Sequence, residues 1–431
     1  MSTAKVFRSG NSQAVRLPKE FRLKTAEVEI YRRGNEIILR EKSDDDICRA
    51  LDLIRELPED VLLAAAEGPD PRRSRFYSMP WFTIDSFEHS SRSYQEDLMK
   101  LTPGKLAGLK KVSNERGVIA AAAMDQRGSL QKSLAKEKGG EVTDAMMEEF
   151  KSLVTEVLTP HASAILLDPE WGLPASKRRA KNAGLLLAYE KTGYDKTGPG
   201  RLPDLLDHWS ARRLKEAGAD CVKILLYYTP YDPKHVNETK HAWVERIGDE
   251  CRANDIPFFL EFVGYEEGAD EKGAEYAKKK PHIVTESMRE FSKDRYGVDV
   301  LKVEVPVNMK FVEGVKCFGG TKAYTKKEAI DHFHTAAAAA TKPFIYLSAG
   351  VSNAEFSETL ELAGESGVKF NGVLCGRATW KDGIPVYAKQ GAAAFRKWLE
   401  TEGVKNINNV NDKLKTATSW HPIYGVELVH A

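Results

Sequence analysis

The sequence predicts an α/β protein, a (β/α)8 TIM barrel preceded by a small β domain of different character. Three observations lead there. Short apolar runs alternate with amphipathic helical stretches eight times beyond residue 112, the rhythm of a closed parallel barrel. Ionisable residues inside those runs gather at one end of them. The first 75 residues have their own charge balance and a strand-and-turn pattern. A doubly wound sheet is the alternative arrangement of the same runs.

The totals set limits. A chain of 431 residues suggests two or three domains, and 42% hydrophobic residues support a large core. The 64 basic and 63 acidic residues nearly cancel, so net charge points to neither nucleic acid nor membrane as the main partner. Cys48, Cys221, Cys251, Cys317 and Cys375 are scattered, without metal-ligand spacing, which fits reduced thiols and a cytoplasmic location. No apolar run approaches the roughly 20 residues of a membrane span.

In chain order, Ala4 to Lys42 reads as short strands joined by turns at Ser9-Gly10-Asn11 and Arg33-Gly34-Asn35, with Val28, Ile30, Ile37 and Leu39 at alternating positions. Leu17-Pro18-Lys19-Glu20-Phe21 suits a helical turn opened by proline. Ten basic residues face five acidic ones over this stretch, and so short a segment is expected to dimerise to gain a core. The string AKVFRSGNSQAVRLPKEFRL resembles the swapped-hairpin AbrB/VapB antitoxin domain. The resemblance implies DNA contact through Arg8, Asn11, Gln13 and Arg16, whose side chains suit phosphate and base-edge hydrogen bonds. A solvated basic face is the plainer reading. Asp44 to Gly68 is acidic and amphipathic, with Ile47, Leu51 and Ile54 at helical spacing. In such antitoxins this tail wraps a toxin nuclease, which implies a VapC-like partner; an ordinary surface helix reads almost as well. Residues 76–98 form a join rich in aromatics (Phe76, Tyr77, Trp81, Phe82 and Phe87 among them), with no recognisable fold. Read-through between two formerly separate coding regions would account for it, with Met99 near an older start. The expected domains are therefore 1–75, a 76–98 linker and a 99–431 barrel.

The eight runs are Gly117–Asp125, Ser163–Asp168, Gly184–Glu190, Asp220–Tyr227, Ile256–Val263, Val298–Val305, Pro343–Gly350 and Gly372–Arg377. Helices are expected over Met146–Leu158, Leu202–Ala217 and Lys240–Ala253. In a barrel the active groups collect where the strands end. Asp125, Asp168 and Glu190 close the first three runs, Lys223, Glu261 and Lys302 lie on the next three, and Ser348, Gly350, Gly376 and Arg377 close the last two.

Lys302 stands among valines in GVDVLKVEVPVN. Burying a lysine costs several kcal/mol unless it is neutral or paired. A neutral amine can attack a ketone and form an imine; a lysine with its head in solvent is the plainer reading. Two lysines with Glu261 on adjacent strands suit imine chemistry, either lysine being the neutral one and Glu261 moving protons. Backbone N–H groups around Ser348, Gly350 and Gly376, the helix start at Ser352-Asn353 and the Arg377 cation suit a phosphate. His332 and His334 point different ways on a helix, so a zinc site is not expected. Asp125, Asp168, Glu170 and Glu190 could hold Mg2+.

From about Leu101 to Pro422 the strings AMDQRGSL, TPHASAILLDPEWGLPA, GLLLAYEKTGYD, KILLYY, IPFFLEF, GVDVLKVEVPVN, YLSAGVS and GVLCGRATW resemble the class I tagatose 1,6-bisphosphate aldolases of the LacD family. The resemblance implies a lyase of lactose and carbohydrate metabolism. It would cleave a ketose bisphosphate to dihydroxyacetone phosphate and glyceraldehyde 3-phosphate with no cofactor beyond the covalent imine. Lys302 would form the Schiff base, Glu261 would be the acid/base, and Lys223 and Asp125 would line the reacting carbons. Ser348, Gly350, Gly376 and Arg377 would hold one phosphate, with Gln126 and Arg127 near the other end. Alternatives are a sulfofructose-phosphate or fructose-bisphosphate aldolase, a sugar-phosphate-sensing DNA-binding regulator, and a fusion whose antitoxin half is inert.

Overall fold

The computed structural model describes residues 101–426 except Lys196, and the backbone of four N-terminal strands. The chain divides into two compact units, the barrel lying in the second. In the first, β1 (Lys5–Ser9) pairs antiparallel with β2 (Ser12–Arg16), and β3 (Val28–Arg33) with β4 (Glu36–Glu41). Arg8 faces Gln13 across the first ladder and Arg16 faces Lys5. Asn11, the turn at 17–21, the acidic stretch 44–68, the join 76–98 and Cys48 lie outside the described residues.

All eight expected runs are strands of one closed parallel barrel: β5 (Ile119–Ala123), β6 (Ala164–Leu167), β7 (Gly184–Ala188), β8 (Cys221–Tyr228), β9 (Phe258–Gly264), β10 (Val300–Val303), β13 (Phe344–Leu347) and β14 (Gly372–Cys375). A two-residue parallel pair, β11 (Val312–Glu313) with β12 (Tyr324–Thr325), decorates the loop after β10. Strand side chains alternate between two apolar environments. One row (Ile119, Ala121, Ala123, Leu166, Leu186, Phe259, Val300, Ile345, Leu374) fills the barrel interior. The other (Ile165, Leu185, Val222, Leu260, Leu301, Val303, Tyr346) packs in the larger cluster with the surrounding helices. The same period of two carries Asp125, Asp168, Glu190, Lys223, Glu261 and Lys302 inward.

Helices Asp144–Leu158 and Lys234–Ala253 contain the expected segments. The stretch 202–217 differs: only Ala211–Glu216 is helical, capped by the Ser210 side chain. Pro203 cannot donate to a helical ladder. The backbone instead runs back along the segment after β7, with Lys191 N–H on the Asp204 carbonyl (2.9 Å), Asp195 N–H on Leu202 (2.9 Å) and Leu206 N–H on Tyr189 (3.0 Å).

The N-terminal end of the barrel is closed by two segments far apart in sequence. Leu109 and Val112, at the end of helix Pro103–Lys111, join Trp420 in the interior cluster. Trp420 donates its indole N–H to Ser113 Oγ at 2.8 Å, and Arg116 donates to the carbonyls of Leu414 (3.2 Å) and Ala417 (2.8 Å). Buried Asp299 pairs with Lys105 at 2.7 Å and accepts the Phe258 N–H at 2.8 Å. Among the described residues no helix is long and apolar enough to cross a membrane.

Candidate active site

Strand register sets the depth of each inward group. Lys302 on β10 lies opposite Glu261 on β9. Lys223 on β8 lies level with Ala188 and Phe259, two residues deeper than Leu225, the residue level with Glu261. Glu261 therefore sits above Lys223 and beside Lys302. Its Oε2 is 2.7 Å from Lys223 Nζ and 2.8 Å from Lys302 Nζ, two close ion pairs on one oxygen that lack good hydrogen-bond direction.

The deeper lysine is enclosed by carboxylates. Lys223, with no exposed surface, donates to Asp125 Oδ2 at 2.8 Å and to Glu190 Oε1 at 3.0 Å besides facing Glu261. Burial alone would favour the free amine, but Asp125, Glu190 and Glu261 outweigh it and hold the Lys223 ammonium well above its ordinary range. Of the two alternatives left by the sequence, this surrounding favours the charged form of Lys223. Burial pushes the Asp125 carboxyl up, yet Lys223 and then Lys302 hold it well below the usual carboxylate range. Glu261 is lowered for the same reason, its burial outweighed by Lys223 and Lys302. For Glu190 burial wins, and its carboxyl is raised despite Lys223 and Arg127.

Arg127 is buried. It donates to the Glu190 carbonyl at 2.8 Å and lies 3.1 Å from Glu170 and 3.4 Å from Glu190 side-chain oxygens. Its guanidinium is thus matched by the chain's own carboxylates, although its edge reaches the cavity. The four acids able to hold Mg2+ are likewise each matched by a cation: Asp125 and Glu190 by Lys223, Glu170 by Arg127, and Asp168 by Lys151. Gln126 donates from Nε2 to Asp125 Oδ1 at 3.2 Å, which orients that carboxylate.

A cavity of about 470 Å³ opens at the C-terminal ends of the strands, within the usual range for small-molecule sites. Asp125, Gln126, Arg127, Glu261, Lys302, Ser348, Gly350, Gly376 and Arg377 all line it; Lys223 lies beneath. At β13 and β14 the backbone forms a cradle. Gly350 has φ +77°, and a Cβ there would lie 2.6 Å from Arg377 Cζ, so only glycine lets the guanidinium lie against the chain. Gly376 approaches β5 closely, an added Cβ meeting the Ala123 carbonyl at 2.9 Å. Arg377 is exposed at the cavity edge. The helix start at Ser352 does not line this cavity; it faces the space beside it.

Two groups escape sequence reasoning. Lys151, fully buried, donates to the Met124 and Gln126 carbonyls (both 2.8 Å) and to Asp168, fixing the segment that bears Asp125. Its signal was a cation on the helix stripe of Met147, Phe150 and Val154. Glu304 shares the inward parity of Lys302 and lines the cavity, accepting the Gly264 N–H at 2.8 Å.

Residues 119–382 match the model of the DeoC/LacD family aldolases, and residues 6–46 that of the MazE bacterial antitoxins. The chain is 55% identical over 326 residues to tagatose 1,6-diphosphate aldolase 2 of Enterococcus faecalis, covering 75% of this chain and 98% of that one. It is 56% identical over 325 residues to tagatose 1,6-diphosphate aldolase 1 of Streptococcus mutans (75% and 99% covered). The solved fructose-bisphosphate aldolase of Plasmodium falciparum shares the fold at 16% identity, with a TM-score of 0.54 over 74% of this chain and 97% of that one.

Proposed function

Since the chain belongs to the DeoC/LacD family of aldolases, we propose that it cleaves D-tagatose 1,6-bisphosphate to dihydroxyacetone phosphate and D-glyceraldehyde 3-phosphate through an imine on Lys302. It is a lyase of the aldehyde-lyase class. The observation that carries the residue assignment is the unequal setting of the two lysines: three carboxylates surround Lys223, and one faces Lys302. Lys223 is held as a cation, which leaves Lys302 as the nucleophile. The relatives carry the tagatose name, which disfavours the sulfosugar, fructose and sensor alternatives.

Lys302 gives its proton to Glu261 and adds to the C2 ketone, forming a carbinolamine. Glu261 returns a proton as water leaves, and the cationic iminium becomes an electron sink. Glu261, ionised again once water has left, takes the C4 hydroxyl proton; the C3–C4 bond breaks, its electron pair passing into the iminium, so that the aldehyde is released and an enamine stays on Lys302. Protonation at C3 and hydrolysis then free the second product. The Lys223 ammonium and ionised Asp125 orient substrate hydroxyls. Arg377, with backbone N–H groups near Ser348, Gly350 and Gly376, clamps one phosphate. Gln126 lies toward the other end, and Arg127 acts there by holding Glu190.

Borohydride trapping with dihydroxyacetone phosphate, with EDTA present and followed by peptide mass spectrometry, tests this. A reduced adduct on Lys302 is expected. An adduct on Lys223 would reverse the lysine roles, and none on a folded protein would overturn the imine.

For residues 6–46 the antitoxin match and the basic ladder support DNA binding by Arg8, Gln13 and Arg16. The expected signature is a fall in affinity with rising salt; salt-independent or absent binding would sink it.

A further inference from the structure

Beside the active cavity lies a second one of about 770 Å³, over the ends of β9, β10 and β13 and between helices Ala274–Phe291 and Asn353–Ser366. The two share a wall made by Glu304, Ser348, Gly350 and Arg377. Beyond that shared wall, the imine chemistry makes no use of the second.

Its donors are poorly matched by the chain. Lys280 is buried, and its ammonium has one ion pair among the described residues, Glu304 Oε1 at 3.2 Å. The Tyr276 hydroxyl is also buried and has no hydrogen-bond partner among them. The Tyr276 hydroxyl and the carboxylate that pairs with Lys280 meet at one point of the wall: a Cβ added at Gly264 would lie 2.8 Å from the Tyr276 hydroxyl and 3.4 Å from Glu304 Oε2. Buried donors left without acceptors are costly, and an incoming acceptor removes that cost.

The charge of the lining selects the ligand. Lys272, Lys310, Arg377 and Lys381 join Lys280 there. Of the three carboxylates, Glu271 is held by Arg201 at 2.6 Å, Glu304 by Lys280 and the Gly264 N–H, and Glu355 remains. The N-terminus of the 14-residue helix starting at Asn353 opens on the same space, its cap residue Ser352 on the lining, and favours negative charge. We propose that this side cavity binds a small phosphate-bearing anion on Lys280 and Tyr276, separately from the substrate's own phosphate clamp. Glu304 couples the two spaces, since it faces both and lies two residues beyond Lys302.

The experiment uses the full chain reduced with borohydride in the presence of dihydroxyacetone phosphate, so that a covalent adduct fills the active cavity. That step rests on the proposed imine; the side cavity itself does not. Calorimetric titration with inorganic phosphate is expected to show one further site per chain. The site should weaken by about tenfold or more in Lys280→Met, by a few-fold in Tyr276→Phe, and not in Lys191→Met, which alters only the far side of the active cavity. No saturable site, or one unmoved by both side-cavity substitutions, overturns the proposal. If Lys280→Met does not fold, Tyr276→Phe decides, because it removes a single oxygen that bonds nothing among the described residues. If no adduct forms, the imine is what has failed. The unmodified chain should then bind two phosphates, one of them a few-fold more weakly in Tyr276→Phe, and a single site, or two that Tyr276→Phe leaves unmoved, counts against the side cavity.

Discussion

Lys223 and Lys302 stand on neighbouring-but-one strands of the same barrel, both buried and both touching Glu261, and they differ in depth. One step down, Lys223 meets Asp125 and Glu190 as well, which favours its charged form. One step up, Lys302 has one ion pair among the described residues, with Glu261, and opens on the cavity. A lysine's chemistry in a barrel is thus set less by its strand than by how many carboxylates its layer brings to it.

The sharpest way to break this contrast is to remove the upper amine. Lys302→Met should retain the wild-type circular dichroism spectrum and lose cleavage by about 10⁴-fold or more. Near-normal turnover would abolish the distinction. Glu261→Gln keeps the shape between the lysines but removes the proposed proton carrier, so kcat should fall about 10²- to 10⁴-fold and adduct formation should slow in a trapping time course. The lower lysine should show itself in stability. Lys223→Met leaves Asp125 and Glu190 buried without their cation and should cost about 3–5 kcal/mol in urea denaturation. Part of that should return in the Lys223→Met/Asp125→Asn double variant, and strict additivity would mean that the two do not interact. Arg377→Ala lies outside both layers and should raise KM about 10- to 100-fold while kcat changes little.

The smallest effect is in pH. Asp125 has a folded pKa below its unfolded one, so its contribution to stability is full above the ordinary aspartate range near 3.9 and is lost as pH falls below it. Glu190, raised by burial, has the opposite sign: its ionisation costs stability once pH rises past the ordinary glutamate range. Asp125→Asn should flatten the acid side of the stability curve measured by urea denaturation from pH 6 to pH 3.

The barrel was legible because apolar runs and period-two alternation are local. The parity of Lys302 among Val300 and Glu304 already dictates which way its side chain points. Depth was not legible. Whether Lys223 lies level with Glu261 or beneath it depends on the stagger between parallel strands joined through long helices, which packing of the whole sheet decides. Arg127 shows the same limit, since its partners Glu170 and Glu190 come from two other strand ends. Residues 202–210 looked helical from their apolar spacing, but Pro203 and the returning segment after β7 took those backbone groups elsewhere. Lys151 was readable in principle as a charge on an apolar stripe; the carbonyls it holds were not.

The floor of the barrel joins residues near the start of the fold to residues near its end: Ser113 to Trp420, and Arg116 to Leu414 and Ala417. On a ribosome those partners emerge some three hundred residues apart, so the strands can pair as they appear while the floor stays open until the segment around Trp420 follows. A nascent chain halted before Trp420 would present Leu109 and Val112 to solvent, a surface that chaperones and proteases read as unfinished. Completion of the fold thereby waits on the segment around Trp420, at the opposite end of the barrel from the cavity that Lys302 lines.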